Sequence, residues 1–135
     1  MAVYHGGSKN SSAGKTALQI NWAVREINTA VRSAYPSTAF ELRHSVGIDT
    51  SDLFVAKTGI RNSNDLVWVG RAANYAAKLA GGAEFSNGAF ITEAVFKLLR
   101  DDVKHGGNPK RSMWEPLPWK ATNGTIYKST WTWKP

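Results

Sequence analysis

Residues 45–82, SVGIDTSDLFVAKTGIRNSNDLVWVGRAANYAAKLAGG, constrain the fold more than any other part of the chain. From residue 42 onward, apolar and polar positions alternate well enough for two strands, 42–49 and 53–57, joined by a Thr50-Ser51-Asp52 turn. RNSND (61–65) reads as a polar loop and LVWVG (66–70) as a third strand. That strand feeds RAANYAAKLAGG, an alanine-rich helix that stops at Gly81-Gly82.

Elements of the same scale flank this block. MAVYH (1–5) reads as a strand, followed by a glycine-rich polar loop. Over 12–34, Ala17, Ile20, Ala23, Val24, Ile27, Val31 and Ala34 recur near the 3.6-residue period of an amphipathic helix, which Pro36 ends. Further on, 89–91 reads as a short strand and 92–100 as a helix with Thr92 as its N-cap and Phe96 and Leu99 facing inward. HGGNPKRS (105–112) is a loop, and the tail is a hairpin about Asn123-Gly124. The order β-α-β-β-β-α-β-α-β-β predicts an α+β fold: a mainly antiparallel sheet with helices on one face, and residues 1–135 as a single domain.

The first loop raises a phosphate-binding question, because Gly14-Lys15-Thr16 ends a glycine-rich segment between a strand and a helix. A P-loop requires a further glycine five residues before Gly14, so that successive N–H groups wrap the phosphates. That position is Lys9, and Gly7 lies two residues too early. The segment is expected to be a surface loop in which Ser11 or Ser12 caps the helix and Lys15 is exposed.

With 135 residues the chain is long enough to bury a core without staples. It is 42% hydrophobic and 20% charged, as globular proteins are, and no apolar run approaches a membrane span. The absence of cysteine excludes disulfides and thiolate metal sites and points to the cytosol. A net charge of +7 and a pI near 9.9 call for an anionic partner: nucleic acid, a phosphorylated small molecule or a membrane surface. Of six tryptophans, four lie at or after Trp114, where they could stack on bases or pack within strands.

Three matches, in order along the chain, make it resemble the class III nucleotide cyclases, the adenylate and guanylate cyclase catalytic domains. Gly47-Ile48 opens a strand followed by a hairpin and Gly59, where the family has G-I-H-x-G. A hydrophobic strand then ends in Gly70. Most specific is Gly70-x-x-x-Asn74-x-Ala76-Ala77-Lys78-Leu79, against the family's G-x-x-[VA]-N-x-A-[AS]-R-L. FSNGAFITEAVFKLL continues the resemblance more loosely.

The resemblance implies a ferredoxin-like cyclase fold and a catalytic pair, Asn74 and Lys78. Asparagine and a basic residue at i and i+4 share one helix face, so both reach a single nucleotide. In the family the asparagine orients the ribose and the arginine steadies the charge on the transferring phosphoryl group. Lys78 supplies that charge without a bidentate fork. Val67 stands where adenylate cyclases place a base-reading aspartate, and Asp65 lies two residues earlier on the same side of the strand. The wording of GIDTSDLFVAKTG and NDLVWVGRAANYAAKL is closer to the pyrimidine cyclases of bacterial antiphage defence, the Pycsar system, which make cyclic UMP or cyclic CMP. Val67, Trp68, Arg71 and Asp65 are then the expected substrate-binding residues, UTP the substrate, and cyclic UMP, an antiviral second messenger, and pyrophosphate the products.

The family also holds two divalent cations, Mg or Mn, on two aspartates. MAVYH resembles the segment that follows the second of these, so no metal ligand is expected in this chain. Asp49, Asp52, Asp101 and Asp102 do not replace them by their spacing; Asp101-Asp102 reads as a solvated helix end, and Glu93 and Asp49 as structural. The implied parent is a cytoplasmic, head-to-tail homodimer with two interfacial sites, metals and nucleotide on one subunit and Asn74 and Lys78 from the other. The chain by itself is expected to be inactive, with no membrane or nucleic-acid partner. Three alternatives remain at this point: an adenylate or guanylate cyclase, a basic nucleic-acid-binding module, and a catalytically silent cyclase-like regulatory domain.

Overall fold

The computed structural model of the chain describes residues 1–60, 63–82 and 86–135, of which 59, 60 and 63–65 by backbone alone. Its first element is a 26-residue helix, α1 (Lys9–Ala34). Next come β1 (Ser45–Ile48), β2 (Phe54–Ile60), β3 (Ser63–Val69) and α2 (Arg71–Gly81). These lead into β4 (Gly88–Thr92), α3 (Glu93–Leu98) and α4 (Asp101–Lys104). A miniature ladder, β5 (His105–Gly106) with β6 (Arg111–Ser112), precedes the C-terminal hairpin of β7 (Glu115–Trp119) and β8 (Gly124–Ser129).

The main sheet has the order β1-β4-β8-β7. β1 runs parallel to β4, with Gly47 opposite Phe90, while β8 is antiparallel to both β4 and β7. All five residues of β4 are buried, so this strand is the spine of the core. Its side chains alternate between two clusters. Ala89 and Ile91 join Ala17 and Leu18 of α1, with Val95, Leu99, Val103 and Trp114. Phe90 joins Leu79 of α2, with Trp119 and Ile126. Helices therefore pack on both faces of the sheet, which corrects the expectation of a single helical face. The reason is β4 itself: a strand whose residues are all buried, with Ala89 and Ile91 on one face and Phe90 on the other, needs cover on both sides.

Two more expectations change at the N-terminal end. The anticipated loop up to Thr16 is helix from Lys9 onward. Gly14 serves close packing: a Cβ there would lie 3.1 Å from Leu99 Cδ2 and 3.2 Å from Val103 Cγ1. N–H groups inside a helix bond to carbonyls four residues back, as Ser12 does to Ser8 at 2.9 Å, so they cannot cradle a phosphate. Residues 1–5 form no strand; Met1 to Tyr4 lie exposed along a groove beside β1 without joining its ladder. A strand is stabilised by its pairing, and these residues have none.

α1 is tied to the entry of β1 and the exit of β8 by one polar residue. Asn21 is buried, and its amide nitrogen donates to the carbonyls of Ser129 at 3.1 Å and Trp131 at 2.8 Å. Its Oδ1 therefore accepts from His44 Nε2 at 2.7 Å, which assigns the proton to that nitrogen. His44 Nδ1 is buried with no hydrogen-bond partner among the described residues, and burial holds the His44 pKa below the usual imidazole value. The C-terminal hairpin forms as the sequence predicts, but its turn is not the two-residue Asn123-Gly124 turn: residues 120–123 make the loop, Gly124 already pairs with Trp119, and Asn123 takes a positive φ of 50°.

Candidate active site

Gly47 lets α2 lie directly on β1. A Cβ at that position would stand 2.2 Å from the Ala76 carbonyl oxygen and 2.7 Å from the Ala80 amide nitrogen. Ala72 and Leu79 are the buried residues of α2, and they turn its opposite side outward. Arg71, Asn74, Tyr75 and Lys78, at i, i+3, i+4 and i+7, form one stripe on that side. Arg71, Asn74 and Lys78 are exposed and Tyr75 is half-buried. The Tyr75 ring meets Trp119 edge-on, with centroids 5.0 Å apart and planes at 86°. Over it lie the Arg71 guanidinium, 5.3 Å from the ring centroid, and the Lys78 ammonium, 5.9 Å away. One anchored ring thus steadies two cations on the stripe that carries Asn74, a surface suited to anionic ligands.

The first turn of α2 is held from outside the helix. Gly70 is the N-cap and offers no side chain. Ser51 replaces it, its Oγ accepting the Ala72 N–H at 3.0 Å. Arg71 Nη2 donates to the Thr50 carbonyl at 2.7 Å and lies 3.6 Å from Asp49 Oδ2. The Asp49 side chain is 0% exposed. Its Oδ1 accepts the Thr92 hydroxyl at 2.5 Å, whereas Oδ2 accepts no hydrogen bond among the described residues. Thr92 does precede α3, but its hydroxyl makes no cap bond because Asp49 takes it. Asp49 and Ser51 are residues whose part in this arrangement the sequence does not reveal; the only sign is two short polar side chains in the turn after Gly47-Ile48.

The remaining expected substrate-binding residues lie on the β2–β3 hairpin, a two-stranded sheet of its own. Val67 pairs with Ala56 and Trp68 with Val55. Successive strand residues point to opposite faces, so Val67 and Trp68 do not line one wall. Asp65 pairs with Thr58 through the backbone, and its side chain lies outside the described residues. Arg71, Asn74 and Lys78 are brought together; Val67 and Trp68 are not.

Among the described residues no group of three or more His, Asp or Glu side chains is placed to hold a metal ion. The buried carboxylate of Asp49 already faces the Arg71 cation, so the two divalent cations of the resemblance do not fit these residues. Asp101 and Asp102 instead open α4 on the surface. Asp101 is held below the usual carboxylate range by Lys110 and then His105, and Asp102 by Arg100. A groove of about 470 Å³ runs along the edge of β1 that no strand pairs among the described residues, between alanines of α2 and the inner side of α1. None of the expected catalytic or substrate-binding residues lines it. No helix among the described residues is long and apolar enough to cross a membrane.

Comparison with known proteins gives these features a context. No protein-family model matches the chain. A uridylate cyclase of Xanthomonas perforans is 50% identical over 136 residues, covering 99% of this chain and 57% of that protein. A uridylate cyclase of Burkholderia cepacia is 47% identical, covering 98% of this chain and 56% of its own length. One from Rhodovulum is 35% identical over 141 residues. The chain thus spans little more than half the length of the curated relatives it matches. Among solved structures, a guanylyl cyclase crystal structure superposes with a TM-score of 0.66 at 16% identity, covering 96% of this chain and 62% of that one. The fold of this chain is therefore that of the guanylyl cyclase structure, and its sequence is similar to the uridylate cyclases over little more than half of their length.

Proposed function

We propose that the chain is the α2-bearing part of a nucleotide cyclase that converts UTP into 3′,5′-cyclic UMP and pyrophosphate. The observation that carries this reading is the stripe of Arg71, Asn74, Tyr75 and Lys78 on a helix fixed to the sheet at Gly47 and clasped at its start. Asn74 would orient the ribose. Lys78 would place positive charge where negative charge grows on the α-phosphate as the 3′-hydroxyl attacks, an electrostatic task that a held cation performs well. A lysine does this as a point charge without the two-pronged grip of an arginine. Arg71 would meet a further phosphate or the base. The two divalent cations of this chemistry have no ligands among the described residues, so they enter with other parts of the enzyme.

The working unit is a homodimer with its sites between subunits. The β2–β3 hairpin supports this, for Phe54 (71% exposed), Leu66 (59%) and Val69 (55%) present apolar surface on both of its faces. The unpaired edge of β1 and its apolar groove suit additional protein of the kind that the longer relatives possess. Antiviral signalling and a cytoplasmic location follow as proposals from kinship with the uridylate cyclases.

The test is complementation. The chain is mixed with a full-length uridylate cyclase relative carrying alanines at the positions aligned with Asn74 and Lys78, then supplied with each of the four ribonucleoside triphosphates. Cyclic UMP formed from UTP by the mixture and by neither component alone is the expected result. Preference for another triphosphate overturns the choice of UTP, and no cyclic nucleotide from any of them overturns the cyclase reading.

A further inference from the structure

We infer that Asp49 is a positioning residue of the α2 face: through Arg71 it fixes the first helical turn from which Asn74 and Lys78 project. The inference rests on the reading of that face as part of a cyclase site.

Three consecutive residues reach the start of α2, each with a different group. Ser51 gives a hydroxyl to a backbone N–H, Thr50 a carbonyl to Arg71, and Asp49 a full charge to the same guanidinium. The Asp49 side chain is wholly buried, just past the end of β1, where its hydrogen-bond partner is Thr92 of β4. Burying a carboxylate carries a large desolvation cost, and an apolar side chain of similar volume often serves stability as well or better. The compensation here is one-sided. Thr92 satisfies Oδ1, while among the described residues Oδ2 accepts no hydrogen bond and stands 3.6 Å from the Arg71 cation. A charge so placed acts in one direction: it draws Arg71 down onto the turn.

Arg71 is also the first member of the functional stripe, three residues before Asn74 and seven before Lys78. Its guanidinium is shared between Asp49 and Thr50 on one side and the Tyr75 ring on the other. Releasing it would free the first turn to rotate, and Tyr75, Asn74 and Lys78 would move with it. Small misplacements of this kind cost rate far more than they cost affinity when the displaced groups act on the transition state.

The experiment uses Asp49→Asn, Thr92→Val, Arg71→Met and the double variant Asp49→Asn/Arg71→Met of the full chain in the complementation mixture, beside amide hydrogen exchange of the chain alone. For Asp49→Asn, kcat is expected to fall by about tenfold to a hundredfold with KM moving less than about threefold. Amides of residues 72–75 are expected to exchange about tenfold faster while those of α1 stay unchanged. The double variant should lose no more than the worse single variant, because Asp49 acts through Arg71. Thr92→Val, which keeps the carboxylate and frees Oδ1, should lower kcat in the same direction, and it decides the matter if Asp49→Asn fails to fold. Unchanged kcat, unchanged exchange at 72–75, or losses that multiply in the double variant overturn the proposal. If the unsubstituted mixture makes no cyclic nucleotide, the cyclase reading falls by itself, and the exchange data alone decide whether Asp49 positions α2.

Discussion

α2 and the β2–β3 hairpin are neighbours in sequence, separated only by Gly70, yet they are held in opposite ways. α2 rests on β1 without a gap at Gly47, buries Leu79 against Phe90, and is clasped at its first turn by Asp49, Thr50 and Ser51. The hairpin pairs with itself and leaves apolar side chains open on both faces. One element has its position written into this chain. The other has its internal register written here, while its surface asks for cover from elsewhere. A site that combined them would be rigid on the α2 side and completed by association on the hairpin side, as an interfacial site requires.

The comparison breaks most sharply at Gly47. Replacing it with alanine sets a Cβ against the backbone of Ala76 and Ala80, where no side chain can yield. We expect Gly47→Ala to lower the unfolding free energy by about 3 kcal/mol, at the upper end of overpacking effects. Chemical denaturation measures it, and a loss below about 0.5 kcal/mol would mean that α2 is not held by this contact.

A smaller effect concerns the tie between α1, the entry to β1 and the C-terminal tail. Burial lowers the pKa of His44 in the folded chain relative to its ordinary value near 6.5. The unfolded state then binds more protons across the window at and below that value, so stability is fully present above pH 6.5 and falls as the pH drops below it. Arg25, Arg32 and Glu41 line a cavity together with His44. Thermal midpoints measured from pH 7.5 to pH 5 should fall in the native chain, and the slope should flatten in His44→Gln.

The smallest change in stability is expected on the hairpin. Phe54→Ser should alter the unfolding free energy by less than about 0.5 kcal/mol, because its ring is 71% exposed. The same substitution should weaken self-association in sedimentation analysis. A large loss of stability with unchanged association would reverse the contrast between the two elements.

The shared face of Asn74 and Lys78 was legible in the sequence because its information is local. Asn74 and Lys78 sit one helical turn apart in an alanine-rich segment that cannot be mistaken for a strand. The clasp was not legible, because Asp49 and Ser51 meet Arg71 and Ala72 only after the chain has passed through an intervening hairpin. Glycine misled in one place: Gly14 reads as a loop residue, yet its missing side chain lets α1 approach Leu99 and Val103. Polarity misled in another, since Ser63, Asn64 and Asp65 read as loop but pair within β3; Arg61 and Asn62 lie outside the described residues. Residues 1–5 have the composition of a strand and lack the partner that makes one.

The central claim is that the outer face of α2 serves a nucleotide cyclase. It is tested most directly by cyclic UMP formation in the complementation mixture when this chain carries Lys78→Ala. The account predicts a loss of about a hundredfold or more in kcat, as for removal of a group that stabilises transition-state charge, with the thermal midpoint of the chain unchanged. Cyclic UMP formed at the rate of the unsubstituted chain would contradict it.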